Sequence, residues 1–184
     1  MIPHIIHNPD RRDRYDILMK ELAEQGITEY KLCPAVIDFP VFRGIAQSFK
    51  NIVREAKERG DESVVIFEDD IKFTDKGAYD HWLKNEPDFY DIYFGGVFLG
   101  EILPGNVLKS FTALHCIMVH KRFYDTFLKA NEFQHLDEAL QGKGKYIVCY
   151  PMIAFQHDGF SDNAKKDCQF SSIIDRWDKW KAPK

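Results

Sequence analysis

The chain has 184 residues, 45% of them hydrophobic and 29% charged, enough to bury one core and too apolar for a disordered chain. Its net charge is −4 and its pI about 6.0, which excludes the basic excess of a nucleic-acid binder. A protein of this charge that binds an anion must supply positive charge locally, from clustered arginines or a metal ion.

Strand and helix signals alternate along the sequence. Residues 2–7 form a short apolar run predicted as a first buried strand. Asn8-Pro9 reads as a helix N-cap followed by proline at the first helical position. Tyr15, Leu18, Met19 and Leu22 follow at helical spacing and stop at Gly26. Residues 30–36 read as a second strand, and Ile45, Phe49, Ile52, Val53 and Ala56 as the stripe of a second helix closed by Gly60. Residues 63–67 are a continuous β-branched and aromatic run of the kind buried in parallel sheets.

Tyr79, Trp82 and Leu83 suggest a short helix, and residues 90–94 a strand that ends in Gly95-Gly96. Those glycines either let the backbone approach a ligand closely or simply turn the chain. Residues 112–119 are predicted as a strand, 121–130 as a helix, 136–141 as a short helix, and 145–150 and 152–155 as strands. Ile173, Ile174, Trp177 and Trp180 fit a last helix with both tryptophans on one core-packed face. Alternation of this kind predicts one α/β domain over residues 1–184, an α/β/α sandwich around a mostly parallel sheet. Such sheets bind ligands beyond the carboxyl ends of their strands.

The cysteines Cys33, Cys116, Cys149 and Cys168 form no C-x-x-C pair, and three lie in apolar, strand-like surroundings, so reduced thiols are expected. The N-terminal stretch lacks the basic and apolar regions of a secretory signal. No apolar run reaches the ~18 residues of a membrane span. No transmembrane segment and a cytoplasmic location are therefore expected.

Glu68-Asp69-Asp70 follows the 63–67 run directly. Alternation along an extended backbone sends Glu68 and Asp70 one way and Asp69 the other. Two carboxylates on one side of a strand end make a hard-oxygen site suited to Mg2+ or Mn2+, which would bridge the diphosphate of a nucleotide. A solvated acidic turn is the plainer reading of the same triplet. Arg11-Arg12-Asp13-Arg14 lies at the start of the first helix. Arginine's planar fork matches phosphate, and cations there oppose the helix dipole, so stability alone does not explain them. An exposed basic face is the alternative.

These pieces together resemble glycosyltransferase family 25, the lipopolysaccharide-biosynthesis and collagen galactosyltransferase group. Asn8, Arg11, Arg12 and Arg14 stand in places similar to those of its N-x-x-R-R-x-x-R type segment, and Ala35 resembles an alanine after its second strand. Gly44-Ile45-Ala46-Gln47-Ser48-Phe49 stands where the family has G-C-x-x-S-H, and Ile66-Phe67 leads into the Glu68-Asp69-Asp70 strand end. Leu136-Asp137-Glu138 is similar to the family's P-V-D, and Pro151, Gln156 and Ser161-Asp162 to its closing stretch. Phe49 replaces the usual histidine, so whatever that histidine does is missing here.

The resemblance implies a GT-A-like, Rossmann-like fold and transfer of a hexose from a nucleoside-diphosphate sugar, most readily a UDP-sugar, to a glycan or other hydroxyl acceptor. It implies Asp70 as a ligand of Mn2+ or Mg2+, completed by a late histidine, for which His157 is the best placed. Glu68 or Asp69 would contact the ribose or donor sugar, with Asn8, Arg11, Arg12 and Arg14 on the donor. Asp137 would be the base that deprotonates the acceptor, or else only an acid in the first turn of a short helix. Two other functions stay open: a non-catalytic nucleotide-sugar or glycan-binding module, and another metal-dependent α/β enzyme acting on phosphates. The sequence contains no G-x-x-x-x-G-K-[ST] loop.

Overall fold

The computed structural model describes residues 1–183, and within them every side chain except that of Ile173. In chain order the elements are β1 (His4–His7), α1 (Arg12–Glu24), β2 (Lys31–Pro34), α2 (Val41–Arg59), β3 (Ser63–Glu68), β4 (Ile71–Phe73), α3 (Ala78–Lys84) and β5 (Ile92–Phe94). Then come β6 (Gly100–Leu103), β7 (Val107–Phe111), β8 (Cys116–His120), a single 3-10 turn, α4 (Tyr124–Leu128), α5 (Leu136–Leu140) and β9 (Tyr146–Val148). β10 (Ala154–Gln156), β11 (Gly159–Ser161), β12 (Lys166–Cys168) and α6 (Ser171–Ile174) complete the chain.

Eight strands form one sheet in the order β2-β1-β3-β8-β5-β9-β7-β6. β1 pairs in parallel with β2 and β3, and β5 in parallel with β9. β8 runs antiparallel to both β3 and β5, so β2, β1, β3, β5 and β9 share one direction. The β6–β7 hairpin joins at the edge through Val107 and Ile147.

Side-chain alternation divides the core between the two faces of this sheet. Val64 and Ile66 of β3 pack with Phe49, Ile52 and Val53 of α2 and with α4 and α5 on one face. Val65 and Phe67 pack with Leu18 and Leu22 of α1 and with Tyr79 and Trp82 of α3 on the other. The result is the α/β/α sandwich that the alternating pattern predicts. Burial of each such aliphatic or aromatic side chain contributes about 1.5–3 kcal/mol, which outweighs helix propensity in deciding where α1 and α2 lie. All four cysteines are free, with Cys116 and Cys149 buried.

Three local expectations change. Asn8-Pro9 does not start α1: the Asp10 N–H donates to Asn8 Oδ1 at 3.1 Å and the Arg11 N–H to the Asn8 carbonyl at 2.9 Å, closing a separate turn. An asparagine that satisfies its own turn is not free to cap a helix, and the helix begins at Arg12. Residues 112–115 are not strand, and the β6–β7 hairpin before them was hidden by its mixed, half-exposed pattern.

The C-terminal helix stops at Ile174, because Met152 draws the following chain into an extended bridge. The Met152 N–H donates to the Asp178 carbonyl and the Trp180 N–H to the Met152 carbonyl, both at 2.9 Å. Trp177 therefore packs against the α2-side core and Trp180 against the α1-side core. The Ile173 side chain of the predicted stripe lies outside the described residues.

Gly95-Gly96 also finds its explanation in packing. A Cβ on Gly95 would overlap the Cys116 sulfur, and one on Gly96 the Ala154 carbonyl oxygen. The close approach is made to the protein's own strands.

Candidate functional site

A cavity of about 500 Å3 opens beyond the carboxyl ends of β1, β2 and β3. Asn8 follows β1, residues 35–38 follow β2, and Glu68, Asp69 and Asp70 close β3; all line it. Gly44 and Ser48 on α2 fix the 35–38 segment. A Cβ on Gly44 would overlap the Val36 carbonyl oxygen, while Ser48 Oγ accepts the Val36 N–H and donates to the Gly44 carbonyl, each at 2.8 Å. The G-x-x-x-S spacing thus has a structural purpose at the wall. Phe49 is fully buried yet borders the cavity from the core side.

The acidic triplet divides as alternation predicts, although Asp69 and Asp70 lie in the turn after β3. Gln156 Nε2 donates to Glu68 Oε2 at 2.9 Å and to Asp70 Oδ1 at 3.2 Å, so these two acids share a side. Asp69 turns away. Its Oδ2 lies 2.8 Å from His7 Nδ1 and accepts the Asn8 N–H at 3.3 Å, while its Oδ1 accepts from Arg14 Nη1 at 2.8 Å. Both of its oxygens are engaged by the protein, so Asp69 ties β1, α1 and the end of β3 together. Arg14 Nη1 also lies 3.1 Å from Asp70 Oδ2.

One guanidinium therefore pairs with two carboxylates, Asp69 and Asp70, and acts on Glu68 only at longer range. Burial, reinforced by the charge of Asp70, pushes the Glu68 carboxyl up to about 8 against the pull of Arg14. Burial raises Asp70 as well, again with Arg14 opposing. Like charges crowded out of water favour protons or an added cation.

Glu68 and Asp70 fit a divalent ion on this account: they are hard oxygens, side by side, on a wall short of positive charge. Among the described residues no group of three or more His, Cys, Asp or Glu side chains is arranged to hold an ion, so the rest of its shell would come from ligand phosphate and water, the usual habit of Mg2+. His157 does not join them. Its Nε2 lies 3.0 Å from Glu21 Oε1, on the α1 side and away from the cavity wall. Neighbouring residues of an extended chain point to opposite sides, and it is Gln156 that faces the acids.

Of the arginines, Arg11 and Arg14 line the cavity and Arg12 does not. Arg12 is exposed. Positions three apart share a helix face and adjacent ones do not. Arg11 Nη1 donates to Asp162 Oδ2 at 2.9 Å and to the Phe160 carbonyl at 3.2 Å, and Arg14 Nη2 to the same carbonyl at 3.0 Å. Both arginines thereby strap the β11–β12 hairpin, whose turn (residues 161–165) lines the cavity.

Asp137 is on the wall, in the first turn of α5. Its Oδ2 accepts the Ala113 N–H at 3.0 Å and its Oδ1 the Glu138 N–H at 2.9 Å. Sequence reading missed the parts played by His7 and Ala113. It matched Gln156 to a family motif without seeing its role. Only the place of Gln156, one residue from the favoured histidine, was a signal.

No protein-family model matches the chain, and no curated protein matches it in sequence. Solved structures do match it. A197 from STIV is 12% identical with a TM-score of 0.57, over 90% of this chain and 91% of that one. HddC from Yersinia pseudotuberculosis is 10% identical with a TM-score of 0.51, over 83% and 71%. A glycosyltransferase involved in the glycosylation of the major capsid of PBCV-1 is 13% identical with a TM-score of 0.49, over 82% and 83%. The first two likenesses show the fold, and function rests on the site. Among the described residues no helix is long and apolar enough to cross a membrane.

Proposed function

We propose that the chain is a GT-A-like glycosyltransferase that moves a hexose from a nucleoside-diphosphate sugar, UDP-sugars first, to a hydroxyl of a glycan or other acceptor. The observation that carries this reading is the meeting, in one cavity at the strand ends, of Arg11 and Arg14 with the Glu68–Asp70 pair. The arginines stand where a diphosphate needs donors, and α1 presents its N-terminal end beside them. The apolar part of the wall, from Val36 to Ile45 and Phe49, suits a nucleoside.

Transfer displaces the nucleoside diphosphate from the anomeric carbon. Arg11 and Arg14 offset the negative charge that builds on the departing phosphate, and a wall carboxylate takes the proton of the acceptor hydroxyl. A divalent ion held by Asp70 and Glu68 would supply further Lewis-acid stabilisation of that leaving group.

The test is thermal unfolding against a panel of nucleoside diphosphates and nucleotide sugars, with and without Mn2+. A ligand at a hundred times its Kd stabilises by about 2.7 kcal/mol, a rise of several degrees for a chain this size. The expected pattern is a rise with UDP or a UDP-hexose that Mn2+ enlarges and Asp70→Asn abolishes. No response to any nucleotide sinks the reading. Binding without any sugar transfer or donor hydrolysis makes the chain a binding module instead.

A further inference from the structure

Ala113 has φ 75°, one of three non-glycine residues in the left-handed region among the described residues. For a residue with a Cβ this backbone is strained and persists only where its surroundings impose it. Here the imposing groups are visible. On one side the Thr112 N–H donates to the Leu99 carbonyl at 2.8 Å, and the Thr112 carbonyl accepts the Phe98 N–H at 3.0 Å. On the other, α5 grips the same segment twice, through Asp137 to the Ala113 N–H and through Gln141 Nε2 to the Phe111 carbonyl at 2.6 Å.

The segment so held, residues 112–114, is cavity wall. It runs straight into His115, whose carbonyl accepts the Glu68 N–H at 3.0 Å. The left-handed turn therefore stands next to the acids at the diphosphate end of the cavity. On the reading of the cavity as a nucleotide-sugar site, this is the wall that a sugar beyond the diphosphate would face.

We propose that Asp137 is a positioning residue for the donor sugar: it holds Ala113 left-handed, and the wall formed by residues 112–114 is shaped to the transferred hexose. This rests on the reading of the cavity as a nucleotide-sugar site, and it replaces the general-base role that family resemblance assigns to Asp137. Asp137 Oδ2 accepts the Ala113 N–H of that wall and Oδ1 the Glu138 N–H of its own helix turn, so both oxygens are already engaged.

Calorimetric titration with UDP and with a UDP-hexose, each to saturation, separates the possibilities, because the wall affects only the increment that the sugar adds. Asp137→Ala is expected to keep UDP affinity within about twofold and to lose a sugar increment of about tenfold, the worth of one well-placed contact. Asp137→Asn retains an amide oxygen for the Ala113 N–H and keeps most of the increment. Ala113→Gly, added to Asp137→Ala, restores much of it, since glycine adopts this backbone unaided. A merely structural Asp137 would weaken UDP and the UDP-hexose alike.

Three results overturn the proposal: an intact increment in Asp137→Ala, an equal loss in Asp137→Asn, or no increment in the unaltered protein. Failure of every nucleotide to bind overturns the functional reading, and this inference with it.

Discussion

The two ends of the sheet treat charge in opposite ways. At the end remote from the cavity, just before β5, Asp91 accepts from Arg122 Nε at 2.9 Å and from the Lys145 N–H at 2.6 Å. Arg122 also stacks 3.7 Å above the Phe89 ring. One carboxylate there has its own guanidinium and a backbone donor. At the cavity end Asp69 and Asp70 share the Arg14 guanidinium, and burial raises the carboxyls of Glu68 and Asp70. A sheet end that serves stability pairs its charges. The cavity end instead gathers buried acids in excess of the guanidinium beside them, a pattern common at functional sites.

Removing the shared cation should strain that difference most. Arg14→Met leaves Asp69 and Asp70, whose side chains are 7% and 8% exposed, without their guanidinium. Breaking a buried pair from one side typically costs about 3–5 kcal/mol. Urea unfolding should register a loss of that order, together with loss of any nucleotide-induced stabilisation. An unchanged midpoint would mean that these acids have charge compensation elsewhere, and the contrast between the two ends would collapse.

A smaller effect should appear with pH. Burial pushes the Glu68 carboxyl from its ordinary 4.5 up to about 8 in the fold, so across that window the folded state binds more protons than the unfolded one. Its contribution is complete below the lower value and is lost as pH rises through the upper. Glu68→Gln has no proton to lose. The gap in urea midpoint between Glu68→Gln and the unaltered protein should therefore widen in favour of the variant from pH 5 to 8. A constant gap would show that Glu68 titrates normally.

The sandwich was legible because its signals are local and repeated. The run of residues 63–67, the α2 stripe and the glycines after both long helices each specify one element without help from the rest. What escaped depends on partners distant in sequence. Trp177 and Trp180 have helical spacing, yet Met152 determines their backbone from about thirty residues away. The site shows the same limit. Arg11 and Arg14 could be placed together from helix period alone. Which of Gln156 and His157 would face the acids depended on where β10 ends, and element boundaries are what sequence patterns fix least well. The role of Ala113 left no trace in sequence, since alanine is among the residues least expected to adopt a left-handed backbone.

The smallest expected effect belongs to the remote end, and it is the control that gives the others meaning. The Arg122 and Asp91 side chains are 29% and 18% exposed, so water already screens the pair. Exposed or half-exposed ion pairs contribute about 0–1 kcal/mol. Arg122 also covers Phe89, which is itself 57% exposed, and an exposed cation–π contact adds about 0.5–1 kcal/mol. Arg122→Met retains most of the aliphatic cover and removes the ion pair, the cation–π contact and the hydrogen bond that Arg122 Nη2 donates to the Tyr90 carbonyl. Its cost in urea unfolding should therefore be about 1 kcal/mol, a third or less of that at Arg14, with nucleotide-induced stabilisation intact. A cost equal to that of Arg14→Met would trace the Arg14 effect to the loss of any arginine at a sheet end. A small cost with unaltered ligand response isolates the cavity end as the place where missing positive charge has a functional purpose.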